Sequence, residues 1–284
     1  MGPVLPSGRP RVVASDLDGT LLRGDTTVSD RTRAALRRTE EAGVDVVFVT
    51  ARPPRWIRPV ADAVAGHGVV VAGNGAFVVD ARTLEVVETR GYTHAAVLDL
   101  VAPLRAAFPD AHLALERSTG MVVESGYTSP YRGRDDWLVL DRLEDADDVP
   151  TGKLLVRARE EHRDGFLEAV AEVVGERGHV AHSGVDHLAE ISPPGVTKAA
   201  GLARWCQTRG VDAEHVWAFG DMPNDLPMLA WAGASFAVAN AHDDVRAAAT
   251  HTCPSNEDDG VAVVLEAMLE RADPSGPTAS HPTA

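Results

Sequence analysis

The sequence predicts an α/β protein whose outer thirds build a parallel sheet and whose middle third is an inserted α+β segment. Two observations carry this. Short apolar runs of strand length at residues 11–16, 44–49, 69–71 and 215–219 are interleaved with helical patterns in the first and last thirds, the order expected of strands buried on both faces and joined by crossover helices. In the middle third the alternation of helices and strands is less regular, which fits an α+β segment better.

The first run, Arg11 to Asp16, leads to a helix that Ser29 can cap, with Ala34, Leu36 and Ala42 on its apolar side and Gly43 as its left-handed stop. Val44 to Val49 follows as a second strand, and strand–helix–strand on this scale is a parallel crossover. Val69 to Val71 and His215 to Phe219 are further buried runs, and helical patterns cover residues 55–65, 197–209, 224–232, 243–249 and 257–271. The middle third reads as a helix at 94–107, strands at His112–Glu116, Met121–Glu124 and Lys153–Arg159, a helix at 163–176 and a strand at His179–Ser183. A long polar loop runs from Ser125 to Asp136, Asp141 to Asp148 is expected to be a solvated acidic turn, and the tail from Asp273 lacks an apolar period and is expected to be disordered.

Composition removes several function classes. The 284 residues carry 27 Lys+Arg against 42 Asp+Glu, a formal net charge of −15, so a basic face for nucleic acid or anionic lipid would have to be assembled against the overall balance. No charge-free apolar stretch reaches membrane-spanning length, and Met1 to Pro10 lacks a signal-peptide core, so no membrane partner is expected and cytoplasmic residence is the default. Cys206 and Cys253 have neither CxxC spacing nor histidines at zinc-finger intervals, which leaves two semi-buried thiols as the expectation. Oligomeric state is not legible.

The chemistry gathers where three apolar runs end. Asp16, Thr50 and Asp221 each follow a strand, and open parallel sheets bind ligands at that carboxyl edge. Asp16-Leu17-Asp18-Gly19-Thr20 sets two carboxylates at i and i+2 before a glycine that lets the chain leave steeply. One can attack while the other handles a proton, as in enzymes that form an aspartyl phosphate. An EF-hand is excluded, because Leu21 stands where its glycine belongs and Thr27 where its closing glutamate belongs. Gly220-Asp221-Met222-Pro223-Asn224-Asp225 places two acids four apart at a helix start, where they could share a hard cation such as magnesium or simply match the helix dipole. Only two basic residues are lysines, Lys153 and Lys198. Lys198 sits in the first turn of a helix capped by Thr197, a poor place for a cation unless an anion is near. A point charge about 4 Å from a phosphate oxygen is worth roughly 4 kcal/mol at an effective dielectric near 20.

The set Asp16-Leu17-Asp18-Gly19-Thr20, Val49-Thr50-Ala51-Arg52, Lys198 and Gly220-Asp221-x-x-Asn224-Asp225 resembles the four motifs of the haloacid dehalogenase superfamily of phosphatases, and more narrowly its Cof-type sugar-phosphatase branch. Gly73-Asn74-Gly75-Ala76, Ala239-Asn240-Ala241 and Glu257-Asp258-Asp259-Gly260-Val261 add to the likeness, which spans residues 11–90 and 187–272. Ala51 stands where the branch commonly has glycine, and Pro223 and Pro227 are unusual in their motif. The resemblance implies a Rossmann-like core from those two segments and an α+β cap of the C2 type at 91–186; the ends at 1–10 and 273–284, outside it, are expected to be flexible. It implies magnesium held by the Asp16 carboxylate, the Asp18 carbonyl and Asp221, with Asp225 and Asn224 supporting. Thr50 and Lys198 would hold the phosphoryl oxygens, with Arg52 and Asn224 also beside the substrate. Asp16 would be the nucleophile and Asp18 the proton carrier in hydrolysis of a small phosphate ester, a sugar phosphate above all. The cap loop around Tyr127, Tyr131, Arg132 and Arg134 is a candidate reader of the leaving group. A phosphomutase and a receiver-like phosphorylated module are the alternatives; a dinucleotide-binding oxidoreductase, prompted by Gly73-Asn74-Gly75, lacks the third glycine, since Val78 stands there.

Overall fold

The computed structural model describes residues 4–63, 66–128, 137–158, 165–182 and 187–271. The chain divides into two compact units, one formed by the segments before Val47 and after Arg209, the other by Val47–Arg209. The first unit is α/β with a parallel sheet, and the second adds a largely antiparallel sheet with helices on one face, the α+β character expected of the middle third.

In the first unit, β1 (Val12–Ser15), β12 (Val216–Gly220), β13 (Ala234–Val238) and β14 (His251–Cys253) lie parallel in the order β14-β13-β12-β1. Every residue of β1, β12 and β13 is buried, which is why they carry runs of apolar residues instead of an alternating pattern. Phe219 and Phe236, opposite each other in the register, stack at 4.7 Å between centroids. Helix α1 (Asp30–Glu41) starts at Ser29, whose hydroxyl accepts from Thr32 N–H at 3.0 Å, and is followed by Gly43 at φ +79°. Its buried stripe is Thr32, Ala35, Leu36 and Thr39, whereas Ala42 is exposed. The buried stripe thus keeps Leu36 but runs through Thr32, Ala35 and Thr39 instead of Ala34 and Ala42; Thr39 satisfies its buried hydroxyl on Ala35 O at 2.8 Å. Helix α8 (Gly260–Glu270) lies beside α1, joined to it by the Arg31–Glu266 ion pair. Cys253 is buried, and burial pushes its thiol up to about 12.

In the second unit, β2 (Asp45–Val49, entering from the first unit) and β3 (Val69–Ala72) run parallel, and β4 (Phe77–Asp80) and β5 (Val86–Thr89) extend the sheet antiparallel. A second, six-stranded sheet has the order β10-β11-β9-β6-β7-β8, formed by β6 (His112–Arg117), β7 (Gly120–Glu124), β8 (Trp137–Leu140), β9 (Thr151–Arg157), β10 (His179–His182) and β11 (Leu188–Ser192). Helices α3 (His94–Ala107) and α4 (Phe166–Val174) share a core with one face of this sheet through Leu113, Leu115, Leu154, Val156 and Ile191. The other face carries Ala114, Met121, Val123, Leu155 and Tyr127, and beside them Glu116, Lys153 and Glu190.

Five strands escape the periodicity reading: β4, β5, β8, β11 and β14. The last four carry half-exposed positions, so their patterns are mixed instead of apolar or cleanly alternating. The acidic turn is not merely solvated: Asp147 pairs with Arg117, whose side chain is 2% exposed, and Glu144 pairs with Arg105 at 3.0 Å. Within the second unit, Gly75 lies against Thr197, the residue just before helix α5 (Lys198–Thr208), Gly152 lies against Phe77, and Tyr92 pairs with Thr151. Tyr131, Arg132, Arg134, most of the 125–136 loop and the tail from Asp273 lie outside the described residues. No helix among the described residues is long and apolar enough to cross a membrane.

Candidate active site

The carboxyl end of the first unit's sheet is where the acids meet. Asp16 follows β1, with its N–H on Phe219 O at 3.0 Å, and Asp221 follows β12. One oxygen from each of Asp16, Asp221 and Asp225 lies within 4.8 Å of the others, and all three residues are buried. At that spacing each pair of charges repels by about 3 kcal/mol at an effective dielectric near 20, a load that a hard divalent cation relieves. All-oxygen donors are the set that magnesium takes, so the residues present fit it.

The surrounding turn exists to hold these groups. Gly19 has φ +82°, and a Cβ there would sit 2.4 Å from Asp221 Oδ2, so both conformation and space demand glycine. Thr20 Oγ1 donates to Asp221 Oδ1 at 2.7 Å, orienting that carboxylate. Asp225 Oδ2 accepts from the N–H groups of Asp221 and Met222, both at 3.1 Å, which closes the turn before α6 (Leu226–Trp231). A chain of amides secures the rest: Asn240 Nδ2 donates to Gly19 O at 2.7 Å, Asn256 N–H donates to Asn240 Oδ1 at 3.0 Å, and Asn256 Nδ2 donates to Leu22 O at 2.8 Å. Asp18 is exposed, two residues beyond Asp16. Asn224 is also exposed, in the turn Pro223–Asp225.

Thr50, Arg52 and Lys198 belong to the second unit. Thr50 follows β2; its N–H donates to Val71 O at 2.9 Å and its carbonyl accepts from Asn74 N–H at 3.0 Å. Thr50 Oγ1 accepts from Arg52 N–H at 3.1 Å, and a hydroxyl so engaged still has its own proton to donate. Asn74 takes φ +56° between two glycines, and a Cβ on Gly75 would be 2.3 Å from Thr197 O, so the loop after β3 presses against the start of α5. Lys198 is the first residue of that helix and is 3% exposed; Thr197 Oγ1 caps it, accepting from Ala200 N–H at 3.1 Å. The loop after β2 is further tied to the six-stranded sheet. Arg55 forms a bidentate pair with Glu116 at 2.9 and 2.8 Å, and burial pushes the Glu116 carboxyl up even so.

Thus Asp16, Asp221 and Asp225 are brought together in one unit, and Thr50, Arg52 and the start of α5 share a loop cluster in the other. The roles of Thr20, Asn240 and Asn256 escaped the sequence reading. Thr20 and Asn240 lie inside stretches that it singled out, whereas the Asn256–Leu22 contact spans 234 positions and has no local signal.

A family model for haloacid dehalogenase-like hydrolases matches residues 13–265. The 5-amino-6-(5-phospho-D-ribitylamino)uracil phosphatase YitU of Bacillus subtilis (strain 168) is 31% identical over 276 residues, covering 91% of this chain and 97% of that protein. The pyridoxal phosphate phosphatase YbhA of Escherichia coli (strain K12) is 28% identical over 268 residues, 91% of this chain and 98% of its own length. Among solved structures, TM0651 from Thermotoga maritima shares the fold with a TM-score of 0.79 at 24% identity, over 91% of this chain and 97% of that one. The chain belongs to the haloacid dehalogenase-like hydrolase family and, within it, to the phosphatases.

Proposed function

We propose that the protein is a magnesium-dependent phosphomonoesterase that acts on small phosphorylated metabolites, sugar phosphates foremost, through an aspartyl phosphate on Asp16. The observation that carries this is the buried triad Asp16, Asp221 and Asp225 within 4.8 Å, with exposed Asp18 two residues from the first of them. A nucleophile that is oriented at a strand end and a proton carrier that reaches solvent are what the two half-reactions need.

Asp16 attacks phosphorus in line, the bond to the leaving oxygen breaks, and Asp18 delivers a proton to that oxygen. Asp18 then takes a proton from the water that attacks the acyl phosphate, releasing inorganic phosphate and restoring Asp16. Thr50 and Lys198 hold the phosphoryl oxygens, one by a hydroxyl proton and the other by a point charge. Asp16, Asp221, Asp225 and the Asp18 carbonyl would hold magnesium, with Asn224 supporting; when bound, the ion neutralises charge on the transferring group. In this reading residues 11–90 and 187–272 form the catalytic core and 91–186 the cap that reads the leaving group, with Tyr127 buried on its sheet. The named relatives dephosphorylate a ribityl-uracil phosphate and pyridoxal phosphate, which supports small metabolites as the substrate class.

The test is phosphate release from p-nitrophenyl phosphate and a panel of sugar, cofactor and nucleotide phosphates. Asp16→Asn is expected to abolish it, and Asp18→Asn to lower it by about 10² to 10⁴. Full activity in excess chelator would overturn the metal assignment, and an isomerised sugar phosphate in place of free phosphate would favour the mutase.

A further inference from the structure

The first of the chain's two lysines has a partner that its strand position does not explain. Lys153 lies in β9 and is 2% exposed; its Nζ donates to Ala51 O at 2.9 Å and to the Glu190 carboxylate across the sheet. A buried ammonium is costly unless it is paired and hydrogen-bonded. Glu190 alone meets the first need, so the bond to the Ala51 carbonyl is a separate feature of the fold.

Ala51 sits between Thr50 and Arg52, and the other peptide groups of that stretch are already tied down. Thr50 N–H is on Val71 O, Thr50 O receives Asn74 N–H, Arg52 O receives Gly73 N–H at 2.8 Å, and Arg52 N–H is on Thr50 Oγ1. The Ala51 carbonyl belongs to the peptide unit whose N–H is that of Arg52. Its orientation therefore sets where the Thr50 hydroxyl finds its backbone donor, and with it the direction of the hydroxyl proton. Among the described residues, a side chain from the six-stranded sheet supplies this last tie.

We propose that Lys153, held by Glu190, is a positioning residue: by fixing the Ala51 carbonyl it orients the Thr50 hydroxyl for a phosphoryl oxygen. The inference rests on the proposed phosphatase reading for Thr50. A contact to phosphate that is present both before and during transfer contributes uniform binding, so its loss raises KM and leaves kcat nearly unchanged.

The experiment compares wild type, Lys153→Met and the double variant Lys153→Met/Glu190→Leu, all with magnesium. Three quantities are read: the dissociation constant for inorganic phosphate by titration calorimetry, KM and kcat on p-nitrophenyl phosphate, and Tm. The single variant leaves the partly buried Glu190 without its ammonium and is expected to lose some stability, whereas the double variant removes both charges and is expected to melt near wild type. Both variants are expected to bind phosphate about tenfold more weakly, with KM raised to match and kcat within about threefold. Wild-type phosphate affinity in the folded double variant would overturn the proposal, as would a defect in the single variant that the double variant repairs, since that defect would belong to unpaired Glu190. Phosphate binding is read without turnover. A wild type that binds phosphate but does not hydrolyse the ester would thus sink the enzymatic reading while still deciding the role of Lys153.

Discussion

Gly19→Ala concentrates several of these arguments in one methyl group. The added Cβ would lie 2.4 Å from Asp221 Oδ2 and 3.0 Å from its Cγ, so the carboxylate must retreat by at least 0.6 Å to restore even a 3.0 Å contact. That carboxylate has little freedom, because its Oδ1 receives the Thr20 hydroxyl at 2.7 Å and the Asp221 N–H is held by Asp225. Retreat therefore breaks the Thr20 bond or displaces Asp221 from Asp16. The backbone adds its own term, since an alanine at φ +82° costs about 1–2 kcal/mol. At about 2–4 °C per kcal/mol for a domain of roughly 150–250 residues, Tm should fall by several degrees. With Asp221 as a ligand of the proposed magnesium, the larger effect is on the metal: loss of an orienting contact to a ligand typically weakens binding by about 10- to 100-fold. Titrating magnesium into the apo variant while following p-nitrophenyl phosphate hydrolysis, and separately the magnesium-induced rise in Tm, measures both. A variant that is less stable but has an unchanged magnesium activation constant would refute the claim that Gly19 is required by Asp221.

Three further outcomes follow from contacts elsewhere. Thr20→Val keeps the shape of the side chain and removes the 2.7 Å donor to Asp221, so it should weaken magnesium activation about tenfold with a smaller Tm change than Gly19→Ala. Asp147→Ala should destabilise by about 3 kcal/mol in urea, because it strips the charge partner from a guanidinium that is almost fully buried, and Arg117→Met should cost less, because Asp147 is 67% exposed and returns to water. The hydrogen bond from Arg31, and then its charge, lower the pKa of Glu266, so that pair contributes stability above the unfolded carboxyl value of 4.5 and loses it as pH falls through the folded value. Glu266→Gln should thus cost about 0.5 kcal/mol at pH 7, where the partly exposed pair is screened, with the gap to wild type narrowing as pH falls below 4.5 and on through the folded value; a gap that stays constant throughout the acid titration would contradict the linkage.

What was legible in the sequence follows from how each signal is encoded. The parallel strands β1, β2, β3 and β12 announced themselves because burial on both faces demands consecutive apolar residues, and the acids Asp16 and Asp221 are the polar positions that end two of these runs. The hairpin strands β4 and β5 did not stand out, since β5 is half-exposed at the sheet's edge and its period is correspondingly mixed. Within the acid cluster, the candidate residues Asp16, Asp221 and Asp225 were visible as motifs, but the residues that hold them were not. Thr20 reaches Asp221 across 201 positions and Asn256 reaches Leu22 across 234. Such contacts are set by how strands are ordered in the sheet, and no window of sequence contains both partners.

The two lysines show a different kind of signal and how it was only half used. In a chain whose remaining basic residues are all arginine, a lysine marks a position where a compact point charge with three donors serves better than a planar fork. Lys198 stands out further because it lies in the first turn of a helix, a poor place for a cation, whereas Lys153 lies in a strand, an unremarkable place for any residue. Both side chains turn out to be nearly inaccessible, at 3% and 2%. A carbonyl at 2.9 Å and a carboxylate on a neighbouring strand are partners that one ammonium can satisfy from a single atom, whereas a guanidinium would have to spread its donors over a plane. Composition alone had therefore marked both positions equally, and only the strand register that places Glu116 opposite Lys153, with Glu190 two pairs along, separates a buried structural ion pair from a clamp on the peptide after Thr50.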